Sequence, residues 1–256
     1  NEETNTWETP VDNAPINVGK YKAVVTVSVA NHTGTKTLES AEYTITPKAL
    51  VDSDVVGGKV NVPTSPVTYG QSRPVTADDV TNVTLNGNEI AYTIESIKYR
   101  AYNEETQTWG TPVADAPINV GTYKAVVEIT VANHSGVRTI ESVGYTITPK
   151  ALVPDEVTGK VGTPTDLTYT GNPIGITDAN VKDVKLNNKE VAYTVESIQY
   201  AIYNEETQTW GTPTNDVPVN VGTYKAVVTI KVANHTGTKV LESAEYTITA
   251  GTLVPD

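Results

Sequence analysis

Apolar and polar residues alternate along positions 123–131. Tyr123, Ala125, Val127, Ile129 and Val131 share one parity, and Lys124, Val126, Glu128 and Thr130 share the other. A period of two carried by β-branched residues predicts a half-buried strand. The next four residues, Asn133 to Gly136, supply Asn and Gly for the positive φ of a tight turn. Alternation then resumes over 141–148, with Tyr145 and Ile147 expected to face inward and Pro149 stopping the strand. Upstream, residues 88–102 predict one long strand with large side chains on both parities, a pattern that calls for a bulge or a crossing between sheets. Asn86-Gly87 and Asn187-Asn188 are hairpin signals. Residues 76–83 and 177–184 predict one short helical turn each, and no longer helix is expected.

This pattern is written more than once. "NVGTYKAVV" occupies 119–127 and 220–228, and "NVGKYKAVV" occupies 17–25. Trp7, Trp109 and Trp210 mark the phase, spaced 102 (109 − 7) and 101 (210 − 109) residues apart. Around them stand "NEETNTWETP", "NEETQTWGTP" and "NEETQTWGTP"; downstream come "VANHTGTK", "VANHSGVR" and "VANHTGTK". The upstream half, ending in "YTIESIKYRAY" or "YTVESIQYAIY", occurs only twice. The expected organisation is therefore residues 1–50 as the C-terminal half of one repeat, 51–152 as a full repeat, and 153–256 as a full repeat plus the start of a next linker. A period near one hundred exceeds a solenoid unit of ~20–50 residues. It equals one immunoglobulin-sized sandwich of about 100 residues. The expected fold class is all-β, with tandem immunoglobulin-like β-sandwich domains in an elongated array. Short Pro-containing linkers, "PKALVDSDV" and "PKALVPDEV", should limit bending.

The segments "TYTGNPI" (168–174), "VNVGTYKAVVTIKV" (219–232) and "SAEYTIT" (243–249), with "YTITPKAL" closing the earlier copies, resemble bacterial Ig-like repeats of the MBG/YDG type. The aspartate of the YDG name is absent: Tyr69-Gly70 and Tyr169-Thr170-Gly171 stand instead. The resemblance implies a β-sandwich stalk module of secreted and cell-surface proteins, many of them adhesins, at the bacterial cell surface. It carries over no catalytic residue and no cofactor.

Composition narrows the chemistry. The 256 residues contain no Cys, Met or Phe, so disulfides, thiol nucleophiles and zinc–thiolate sites are excluded. The absence of an initiating Met suggests a piece of a longer chain. A formal net charge of -12 argues against nucleic acid and anionic membrane as partners. No apolar run is long enough to span a bilayer. His32, His134 and His235 are one turn position repeated, and no metal site is expected there. Asp78, Asp79, Asp178 and Asp183 are candidate calcium ligands, but the two copies share no acidic pattern. Lys22, Lys124 and Lys225 are candidates for isopeptide cross-links, but alternation places them opposite the core face. The Asn-His-Ser/Thr triplets at 31, 133 and 234 read as turn chemistry.

The remaining ligand-binding candidates are Trp7, Trp109 and Trp210, each able to stack on a sugar or seat a partner's side chain. Three functions follow. The first is a structural stalk of a bacterial surface adhesin. The second is a module that binds a host or cell-surface glycan or protein through the Trp loops. The third is a filament or surface-layer subunit that self-associates through its incomplete first repeat. No catalytic motif appears, and an enzyme is not expected.

Overall fold

A computed structural model describes residues 6–64 and 66–252; the "NEET" of the first copy and the final "LVPD" lie outside the described residues. The described chain is nearly all β, with 25 strands and three single-turn 3-10 segments. It divides into two compact units. One comprises Asn1–Pro63, Arg73–Pro117 and Thr122–Tyr145; the other comprises Thr64–Ser72, Ile118–Gly121 and Thr146–Asp256. The division runs inside the sequence repeats, so each unit contains residues of two consecutive copies.

In the second unit, the long strand Tyr193–Asn204 pairs antiparallel with Gly222–Val232. The opposite edge of Gly222–Val232 carries Lys239–Glu242 and then Tyr246–Ile248. Between these two short strands the register slips by one residue, because Val227 faces Glu242 whereas Tyr224 faces Tyr246. Ser243 fills the slip: its hydroxyl accepts the Ala226 N–H at 2.9 Å and donates to the Ala244 carbonyl at 2.7 Å. A side chain thus supplies the ladder bonds that a bulge would otherwise break. Ser142 and Ser40 make the same pair of bonds in the other copies. The expected bulge in the long strand is present as well, between Val195 and Ser197 and between Ile94 and Ser96.

A second, three-stranded sheet is formed by Val157–Val161, Val181–Leu186 and Lys189–Glu190. Its tight turn has both Asn187 (φ 50°) and Asn188 (φ 64°) left-handed, the conformation of a two-residue hairpin loop. The two sheets bury one cluster that includes Val157, Val181, Val184, Ala226, Val228, Ile230, Leu241 and Ile248. Tyr200 reaches across, accepting the Ile176 N–H through its hydroxyl at 2.9 Å. Strand alternation explains the membership, since Ala226, Val228, Ile230 and Val232 lie on one face and all four are completely buried.

The first unit repeats these features. Tyr92–Asn103 pairs with Gly121–Val131, which pairs in turn with Val137–Glu141. The companion sheet is Val56–Val60, Val80–Leu85 and Asn88–Glu89. Val60, Val80, Val83, Tyr99, Val127, Ile129 and Ile140 belong to its core. Tyr145 and Ile147, expected to face inward, are both buried. The predicted helical turns are the 3-10 segments Ala77–Asp79 and Asp178–Asn180, each preceded by a Thr whose N–H donates to the side chain of the turn's last residue. Residues 19–45 form two two-stranded ladders, Gly19–Tyr21 with Tyr43–Ile45 and Val24–Val27 with Lys36–Glu39.

Candidate functional site: the tryptophan stack and the repeat junction

Trp109 and Trp210 sit on the return strands of short hairpins, opposite Tyr102 and Tyr203. The hairpin loops are built locally. Asn103 Oδ1 accepts the N–H groups of Glu105 and Thr106, and Gln107 takes φ 53°. Each indole then packs within its own repeat. Ring centroids are 5.1 Å apart for Tyr102–Trp109 and 5.2 Å for Tyr203–Trp210. Lys124 Nζ lies 4.8 Å from the Trp109 ring centre, and Lys225 Nζ 4.9 Å from that of Trp210. Glu141 and Glu242 hold these ammonium groups at 3.7 and 2.8 Å. Trp7 has the lysine, with Lys22 Nζ at 4.8 Å, and is half exposed. Lys22, Lys124 and Lys225, the isopeptide candidates, are cation–π partners of the tryptophans.

A second constellation joins consecutive copies, and sequence reasoning did not foresee it. Asn133 is left-handed at φ 61°, which turns its side chain toward the preceding copy. Its Oδ1 accepts the Val18 N–H at 2.9 Å, and its Nδ2 donates to Asn17 Oδ1 at 2.9 Å. Beside it, His134–Ser135 pairs in parallel with Lys48–Ala49, the "PKAL" segment that closes the preceding copy. The same clasp recurs one repeat later. Asn234, at φ 63°, accepts the Val120 N–H at 2.8 Å and donates to Asn119 Oδ1 at 2.9 Å. His235–Thr236 pairs in parallel with Lys150–Ala151. Tyr69 adds an edge-on ring contact to His235, centroids 5.4 Å apart. His32 is exposed, His134 half-buried and His235 buried at 7%.

The signal for this clasp was present in the text as the identical "NVG" and "NH" segments. Alternation assigns both to turns, and a turn needs only suitable φ. Nothing in one copy's pattern says that the two turns of neighbouring copies face each other.

Two of the four acidic candidates, Asp79 and Asp183, are engaged otherwise. Arg73 donates through Nη1 and Nη2 to the Asp79 carboxylate at 2.7 and 2.8 Å, and the Thr76 N–H donates to it at 2.9 Å. These bonds, the Arg73 guanidinium first, hold the Asp79 carboxyl well below the usual carboxylate range. Asp183 pairs with Lys160 at 2.7 Å. Among the described residues no group of three or more His, Asp or Glu is placed to hold a metal ion. A shallow groove lined by Val120, Pro149, Asn234, His235 and Gly237 borders the second clasp. Among the described residues no helix is long and apolar enough to cross a membrane. No protein-family model matches this sequence, and no curated protein matches it either.

Proposed function

We propose that this chain is a structural stalk segment of a bacterial cell-surface adhesin, built of tandem immunoglobulin-like repeats of the MBG/YDG type and displayed outside the cell. Its work is mechanical: it sets a spacing and resists bending. The observation that carries this reading is the clasp used twice, Asn133 on Asn17–Val18 and Asn234 on Asn119–Val120, with matching distances. A linker alone leaves successive domains free to swing. At each junction, hydrogen bonds and a two-residue parallel pairing tie segments of one copy to a turn of the next. The tryptophans support the same reading, because their rings are occupied by a lysine and, in the full copies, a tyrosine of their own repeat. No catalytic role is assigned to any residue.

Small-angle scattering from the 256-residue chain tests the proposal. A compact globule of this length has a radius of gyration of about 18 Å. A stalk segment gives a clearly larger value and a rod-like distance distribution. A value near that of the globule would refute it.

A further inference from the structure

Strand pairing in this chain is antiparallel with few exceptions, and the exceptions share one property. Among the described residues five pairings are parallel. Three are ladders: Lys48–Ala49 with His134–Ser135, Val67–Thr68 with Ile147–Thr148, and Lys150–Ala151 with His235–Thr236. Two are single bridges, Val161 with Ser243 and Thr168 with Thr249. In each, the first partner stands just before a full repeat or among its opening residues, and the second stands near the close of that same repeat. Each pair also lies within one compact unit.

Parallel order decides how such a pair meets tension. Tension along a chain draws the earlier segment toward its N-terminus and the later segment toward its C-terminus. In an antiparallel pair those two ends lie side by side, so the strands peel and the bonds yield singly. In a parallel pair they lie at opposite ends, so the strands must slide and the bonds carry the load together.

The parallel contact is reinforced in both full copies. In the third, the Thr249 N–H donates to the Leu167 carbonyl at 2.8 Å, and the Thr249 hydroxyl donates to the same oxygen at 3.3 Å. The Tyr169 N–H donates to the Thr249 carbonyl at 2.8 Å. In the second, the Tyr69 N–H donates to the Thr148 carbonyl at 2.8 Å, and the Thr148 hydroxyl to the Val67 carbonyl at 3.2 Å. The later strand is anchored, because Ile248, beside Thr249, is completely buried in the core. Leu152 packs on the same core, while the Lys150 and Leu152 N–H groups donate to the Asn234 and Thr236 carbonyls at 3.1 and 2.9 Å.

We propose that the parallel pairs form a shear latch that lets a repeat bear tension applied along the chain, with Leu167–Tyr169 on Thr249 as its central element in the third copy. The use of this latch rests on the mechanical reading given above; its directionality does not.

The test is single-molecule force spectroscopy on the 256-residue chain, which has no native Cys, so two engineered cysteines fix the points of pull. Thr165→Cys with Thr252→Cys pulls the Leu167–Thr249 contact from opposite ends and shears it. Asn172→Cys with Thr252→Cys pulls it from one end and peels it. All three positions are exposed, so neither pair of changes touches the core. The rupture force at one loading rate should be at least about twofold higher in the first geometry, because three bonds share the load there and yield singly in the second. Equal forces in the two geometries, or a higher force in peeling, would overturn the latch. Scattering reads the stalk separately: a globule-like radius of gyration removes the stalk, while unequal forces still establish the latch.

Discussion

Asn234→Gly isolates the repeat junction. Asn234 sits at φ 63°, a conformation that glycine adopts without steric cost, so the turn survives while the side-chain amide is lost. Two hydrogen bonds disappear: the one from the Val120 N–H at 2.8 Å and the one to Asn119 Oδ1 at 2.9 Å. Each is worth about 0.5–1.5 kcal/mol net, and both lie at a solvent-accessible site, so about 1–2 kcal/mol together is the reasonable range. At 1.36 kcal/mol per tenfold, that corresponds to roughly a five- to thirtyfold faster amide exchange at Val120. Hydrogen exchange followed residue by residue by NMR is the assay. The effect must be local, with Val18 unchanged. Asn133→Gly must give the mirror result, because Asn133 is the residue that caps Val18. An unchanged Val120 amide in Asn234→Gly would refute the clasp. So would equal acceleration at Val18 and Val120, which would mean that general loosening had been mistaken for a specific contact.

Five further outcomes follow from the cores, the Arg73–Asp79 pair and the stack. Tyr200→Phe should cost about 1–3 kcal/mol in denaturant unfolding, because the buried Ile176 N–H loses its acceptor. Tyr246→Phe should be neutral or stabilising, because the Tyr246 hydroxyl is buried with no hydrogen-bond partner. Asp79 has a depressed pKa in the folded state, so its stabilisation is present above an unfolded pKa of about 3.9 and is lost as pH falls below that value. The corresponding positions of the next copy are Ile174 and Asn180, so the double variant Arg73→Ile/Asp79→Asn should remove this acid-sensitive contribution, read by thermal unfolding between pH 5 and pH 2. Trp210→Ala should cost about 1–2.5 kcal/mol, combining the cation–π contact and the aromatic pair, before any loss of buried area. Adherence of cells displaying this chain should be unaffected by Trp109→Phe/Trp210→Phe if these rings serve packing; a lost adherence would favour the binding module.

What was legible in the sequence was whatever depends on local periodicity. The alternation of 123–131 located a core strand, and Asn86-Gly87 located a hairpin, because strand faces and left-handed turns are decided within a few residues. The long strand's mixed parity foretold its bulge, seen between Ile94 and Ser96. The serine bulge was not legible: Ser142 reads as one more polar residue until its hydroxyl is seen replacing a ladder bond. The Arg73–Asp79 pair is hidden for a similar reason, since Asp79 alone reads as a possible cation ligand while its partner lies six residues away across a 3-10 turn. The lysines were placed on the correct face, but their position over the indoles depends on a hairpin that alternation does not orient.

The junction explains why two unrelated turns recur together in this chain. A head-to-tail contact is heterologous: each repeat must present one surface forward and a different, complementary surface backward. Here the forward surface is the "NVG" turn with the "PKAL" segment, and the backward surface is the "NH" turn. A copy bearing only one of them would end the series. The second copy uses both, offering Asn119 and Lys150–Ala151 to the next copy while Asn133 and His134–Ser135 engage the previous one. Changing Asn234 alone should therefore release the second junction and leave the first intact, whereas core changes such as Tyr200→Phe should weaken a repeat without releasing either clasp. The clasps and the cores thus rest on different residues, and each can be altered while the other is held constant.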